Sequence, residues 1–183
     1  MQNRVHVDSR GWFTESYSFA RWQAAGISLD FVQDNHSLSI RRGTMRGLHF
    51  QSPPNAQVKI FRCLRGRLFD VIVDLRRGSP TYGQSECFEL DASDHELVLI
   101  PEGFAHGFMT LEENTEILYK VSRPYAPKSD HGVKWSDPDI AISWPMTVDT
   151  NLISTKDLNL PFLKDLDSPF SYDGLRFEVR RLE

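Results

Sequence analysis

Four side chains interrupt apolar runs in a way that invites chemistry. Lys59 lies between Val58 and Ile60, Asp70 between Phe69 and Val71, Tyr119 between Leu118 and Lys120, and His49 sits in MRGLHFQ (45–51). One face of a half-buried strand is ordinarily apolar throughout, so an ionisable residue inside such a run calls for a reason. The plain reason is that each faces water from the outer side of its sheet, and His49 equally fits a hydrogen-bonded core imidazole. The functional reason is a shared lumen. An imidazole, an ammonium, a phenol and a carboxylate together are the groups needed to abstract a proton beside a carbonyl.

A second chemistry competes for the histidines. PEGFAH (101–106) has the PxGxxH form of the second cupin motif, in which the histidine binds a metal and the glycine permits a tight turn. The first cupin motif supplies two further histidines as HxH and a downstream glutamate, whereas here the corresponding place reads His49-Phe50-Gln51. A catalytic metal site generally takes three protein ligands, so this set is short and no metal is expected.

The elements that must position these groups are strands. Period-two alternation and β-branched or aromatic runs mark 58–65, 68–76, 85–91, 96–100, 107–111 and 115–122. Between them RG, RRGSPTYG, DASDH, PEGFAH and EEN read as turns. Short, closely spaced strands of this kind predict an all-β barrel or sandwich. Only two stretches read as helical: 18–26, with Ser18 placed to cap and Gly26 to stop it, and STKDLNLPFL (154–163). Ser154 and Asp157 also fit a capping box, which gives Asp157 a purely structural alternative. From 123 onward prolines and weak periodicity predict a loop-rich excursion packed over the barrel, with short helices.

Composition narrows the function. The 183 residues suit one domain, with 40% hydrophobic and 25% charged residues and a net charge of −4. No run of Lys or Arg exceeds a pair such as Arg41-Arg42, so neither nucleic acid nor an anionic membrane is an expected partner. The opening residues lack a secretory pattern, which makes the cytoplasm the default location. Cys63 and Cys87 sit in strand-like runs away from any CxxC, and the expectation is two buried free thiols.

Over nearly its whole length the chain resembles the RmlC-type dTDP-4-keto-6-deoxyhexose 3,5-epimerases. The resemblance rests on DSRGWF (8–13), FVQDNHS (31–37), MRGLHFQ (45–51), the run 58–83, IPEGFAHGF (100–108), ILYKVSRPYAP (117–127) and GVKWSDPDIAISWP (132–145). It implies a single jelly-roll domain of the cupin type, a homodimer, and proton chemistry with no metal or organic cofactor. The first strand is shortened, because only seven residues precede Asp8.

Carried over residue by residue, the resemblance makes His49 the base, Asp157 the carboxylate that orients and charges it, and Tyr119 the acid on the opposite sugar face. Lys59 sits near the ketone oxygen, and Asp70 and His106 line the same pocket. General chemistry agrees: a fixed cation lowers the barrier to an enolate, and an imidazole of ordinary pKa near 6.5 works as a base at neutral pH. For the nucleotide, Arg10 and Arg46 grip the diphosphate, Phe13 and Tyr125 stack on thymine, and Glu15, Gln33 and Asn35 bond base or sugar. Strict alternation puts Arg46 and His49 on opposite faces, so both reach one site only if Gly47 carries a bulge. The implied substrate is a dTDP-4-keto-6-deoxyhexose. A mono-epimerase of the same family, a metal-dependent cupin enzyme and a non-catalytic sugar-nucleotide binder are the alternatives.

Overall fold

The computed structural model describes residues 4–174. Eleven strands carry the described chain: β1 (Val5–Asp8), β2 (Gly11–Thr14), β3 (Gln33–Ser39), β4 (Met45–Gln51), β5 (Lys59–Arg65), β6 (Arg67–Asp74), β7 (Ser85–Asp91), β8 (Val98–Ile100), β9 (Phe104–Thr110), β10 (Thr115–Val121) and β11 (Asp130–Gly132). Two short helices, α1 (Phe19–Ala24) and α2 (Thr155–Leu158), complete the regular elements together with single 3-10 turns.

Two antiparallel sheets form the jelly roll, one ordered β3-β10-β5-β8 and the other β11-β4-β9-β6-β7. Alternation along each strand sends one set of side chains between the sheets. There Phe61 and Cys63 of β5 meet Leu68 and Ile72 of β6, with Phe108 and Ile117 closing the core. The outer face of the five-stranded sheet is also apolar. Its Leu48, Phe50, Val71 and Val73 are covered by Val133, Ile140, Leu163 and Phe170 from the chain after β10. That is the excursion expected from the sequence, and its last residues, 175–183, lie outside the described residues.

Several expectations need correction. The strand expected at 107–111 begins at Phe104, because Phe104, Ala105 and His106 pair with Asp74, Val73 and Ile72 of β6 and leave only a tight turn before them. The helix expected over 154–163 is one turn at Thr155–Leu158, since Pro161 lacks the N–H to continue it. Cys63 is buried, but Cys87 is exposed, because β7 is an edge strand with no neighbour beyond it. β1 pairs only with β2, as a hairpin apart from both large sheets.

Candidate active site

A cavity of about 640 Å³ opens between the two sheets. His49 enters it from β4 in the five-stranded sheet, while Lys59 of β5 and Tyr119 of β10 enter from the four-stranded sheet opposite. Phe61 forms the floor, its ring 4.7 Å from that of His106 and 6.3 Å from that of Tyr119.

Asp157 reaches the cavity from the excursion. Ile153 and Leu158, on either side of it, pack on Met45 and Met109, which seats α2 against β4. Ser154 caps the turn by accepting from the Asp157 N–H at 3.1 Å, so one half of the capping box forms. The carboxylate does not return to the cap. Its Oδ1 accepts from His49 Nε2 at 2.8 Å and its Oδ2 from the Gly47 N–H at 3.1 Å. Burial alone pushes this carboxyl up, but the His49 hydrogen bond and charge and the Gly47 N–H outweigh it and hold Asp157 below the usual carboxylate range. With Nε2–H committed to Asp157, the neutral His49 ring presents Nδ1 as an acceptor.

Gly47 does carry the irregularity that Arg46 requires. The β4–β9 register shifts between Arg46 and His49, and Gly47 has φ +114°. A Cβ there would meet Gly107 Cα at 2.5 Å and the His106 carbonyl oxygen at 2.8 Å, so the close approach admits no side chain. Arg46 thereby lines the same cavity as His49 and donates to Ser39 Oγ at 3.4 Å.

A second histidine–carboxylate pair lies beside the first. His106 is opposite His49 in the β4–β9 register and donates from Nε2 to Asp70 Oδ1 at 2.7 Å. Asp70 is fully buried behind His106 and does not line the cavity as expected. Among the described residues, no three His, Cys, Asp or Glu side chains gather so as to hold a metal ion.

Burial pulls the Lys59 ammonium down to about 8, against the upward pull of Asp130 and Asp70. Its Nζ donates to the His49 carbonyl oxygen at 3.4 Å, which holds it beside that residue. Burial raises the Tyr119 phenol above its ordinary value, with Arg46 opposing, so it is protonated at neutral pH.

The remaining expected ligands separate into two groups. Gln33 and Asn35 bond each other at 2.8 Å on β3, Asn35 opposite Tyr119, and Gln33 accepts from the Tyr125 N–H. Tyr125 is exposed and donates its hydroxyl to Asp130. These three flank the cavity without lining it. Arg10, Phe13 and Glu15 do not meet it at all: Arg10 pairs with Asp8, Glu15 with Arg21, and Phe13 is 69% exposed on the β2 hairpin.

Three charged residues, Lys156, Asp130 and Arg41, were missed in the sequence. Lys156, next to Asp157, lines the cavity and pairs with Asp130, which joins Tyr125 and Lys156 at the rim. Arg41, Arg46, Lys59 and Lys156 face one lining carboxylate, Asp157, so the cavity is strongly cationic.

Comparison with known proteins identifies the family and the fold. The family model described as dTDP-4-dehydrorhamnose 3,5-epimerase matches residues 1–165. A relative of that name from Sinorhizobium fredii is 48% identical over 84% of this chain and 78% of its own. The Bacillus anthracis enzyme, solved with TDP and PPi bound, superposes with TM-score 0.85 and 46% identity over 88% of this chain and 91% of its own. A Legionella pneumophila epimerase in complex with dTDP-4-keto-L-rhamnose gives 0.87 and 38% over 93% and 91%. With this fold, this cavity and these relatives, the chain belongs to the dTDP-4-dehydrorhamnose 3,5-epimerase family.

Proposed function

We propose that this protein converts dTDP-4-dehydro-6-deoxy-D-glucose to dTDP-4-dehydro-L-rhamnose by moving protons at C3 and C5. One observation carries the reading: the His49–Asp157 pair and Tyr119 stand on opposite walls of one cavity, with Lys59 on the Tyr119 wall reaching across to the His49 carbonyl oxygen. The C4 ketone acidifies the hydrogens on both neighbouring carbons, and no added cofactor is needed to accept the electron pair. His49 Nδ1 takes the carbon-bound proton and becomes an imidazolium held by Asp157. The electron pair moves onto the ketone oxygen, where the Lys59 ammonium meets the charge. Tyr119 then donates its hydroxyl proton to the carbon from the other face, and solvent restores both groups.

The cationic rim serves the diphosphate, with Arg46 and Lys156 as its ligands and Gln33, Asn35 and Tyr125 toward the nucleoside. Arg10, Phe13 and Glu15 reach such a ligand only from a second copy. We therefore read the working unit as a homodimer in which the hairpin of one chain covers the cavity of the other. The exposed Val7, Trp12 and Phe13, at 78%, 59% and 69%, support this. Among the described residues no helix is long and apolar enough to cross a membrane, and the cytoplasm is the proposed location.

Incubation of the purified protein with dTDP-4-dehydro-6-deoxy-D-glucose, followed by NMR of the sugar ring, tests the function. Inversion at both C3 and C5 is expected; an unchanged sugar rejects the proposal, and inversion at one carbon replaces it with a mono-epimerase.

Two further outcomes follow from the charges. Arg46→Ala should weaken dTDP binding by roughly ten- to a hundredfold, the worth of a charge-assisted hydrogen-bond pair, measured by calorimetry. Normal affinity would remove Arg46 from the phosphate site. Lys59 must be protonated to meet the enolate, so the working form exists below about 8 and is lost above it. Accordingly kcat/KM should fall about tenfold per pH unit on the alkaline side. The raised Tyr119 phenol does not titrate in this window. In Lys59→Arg the guanidinium stays charged and the limb should disappear; an unmoved limb would assign it to another group.

A further inference from the structure

The segment GVKWSDPDIAISWP (132–145) contributes no side chain to the cavity lining, yet it contains Asp137, a carboxylate only 2% exposed. Its Oδ1 accepts from the N–H groups of Asp139 at 2.8 Å and Ile140 at 3.0 Å, which closes the local turn. The Oδ2 oxygen does something else, accepting from the Leu163 N–H at 2.6 Å, 26 residues along the chain. The Lys134 N–H donates to the Pro161 carbonyl at 2.8 Å, and a Cβ on Gly132 would strike Leu160 Cδ1 at 2.8 Å. The stretch that follows Asp157 is therefore tied, at 160–163, to the stretch 132–137.

That second stretch is itself fastened beside the base. Gly132 is opposite His49 in the β11–β4 pairing, and Val133 and Leu48 exchange backbone hydrogen bonds. His49 and Asp157 thus hang from one short anchor, the first through β4 and the second through residues 160–163. We propose that Asp137 is a positioning residue for the reaction, a latch that sets Asp157 at hydrogen-bonding distance from His49. This rests on the reading of Asp157 as the carboxylate that charges the base. α2 is a single turn, so its own hydrogen bonds cannot fix the direction of Asp157.

Asp137→Asn separates the two jobs of the carboxylate. The amide oxygen still accepts from Asp139 and Ile140, but the NH2 group cannot accept from Leu163. The variant should keep dTDP affinity and KM while kcat falls on the order of ten- to a hundredfold, as for a small displacement of a reacting group. The decisive comparison adds Asp157→Asn and the double variant. A latch acting through Asp157 leaves the double variant no slower than Asp157→Asn alone. Multiplicative losses, or a normal kcat in Asp137→Asn beside a slow Asp157→Asn, would overturn the latch while leaving the dyad intact. Normal turnover in Asp157→Asn would overturn the dyad and the latch together. If Asp137→Asn does not fold, Asp137→Ser takes its place, because its hydroxyl can serve the turn but is too short to span to Leu163, and the same comparison decides.

Discussion

His49→Ala should lower turnover by about two to four orders of magnitude, the usual worth of a positioned general base. On the same wall the neighbouring His106, paired through Nε2 with Asp70, is only 6% exposed and sits deeper than His49. The substitution also leaves the buried Asp157 carboxylate without its imidazole partner, at a cost of roughly 1–3 kcal/mol of stability. That loss does not unfold a typical domain. Thermal melting and dTDP affinity should therefore show a folded protein that binds, because the arginine and lysine of the rim are untouched. The kinetic loss is the larger effect, and it appears in kcat rather than KM. Turnover above a tenth of normal would reject His49 as the base.

Tyr119→Phe should separate exchange from inversion. Removing one hydroxyl from the four-stranded wall leaves His49, Asp157 and Lys59 in place, so proton abstraction continues and the enolate forms. No phenol then stands on the far face to protonate the carbon. His49 returns a proton to the face it came from, and the original configuration is restored. In deuterated water the imidazolium exchanges with solvent, so the variant should place deuterium in unepimerised substrate while inversion drops by about two orders of magnitude or more. Because burial keeps the phenol protonated well above neutral pH, the loss should persist across the neutral range. Near-normal inversion would show that Tyr119 is not the acid. Exchange lost together with inversion would show that the phenol is needed for enolisation itself, against a division of labour between two walls.

The parts of this site that sequence could show are those with a strong contrast to their surroundings. Lys59, Asp70 and Tyr119 stand out because β5, β6 and β10 are apolar around them, and those strands read within a residue or two of their true bounds. The Gly47 irregularity was legible only through the resemblance, which puts Arg46 and His49 at one site although strict alternation separates them. β3 was not legible as a strand. Its inward residues are Gln33, Asn35, Ser37 and Ser39, so its inward side is polar and shows no hydrophobic period. β11 has three residues, too few for any pattern. Lys156 and Asp130 meet only through the packing of the excursion, which local sequence does not encode. Only the adjacency of Lys156 to Asp157 in STKD hinted at its place. Asp157 itself was ambiguous between cap and catalysis in the sequence; in the fold the Ser154 hydroxyl caps the turn and the Asp157 carboxylate bonds His49.

The central claim is that solvent-exchangeable groups on the two walls carry protons to and from both carbons beside the ketone. Its most direct test is incubation of the unmodified protein with dTDP-4-dehydro-6-deoxy-D-glucose in deuterated water, with no metal or cofactor added, followed over time by NMR and mass spectrometry. Solvent deuterium should appear at C3 and at C5 of the inverted sugar, one atom at each. Inversion with the original hydrogens retained, or no deuterium at either carbon, would contradict the account.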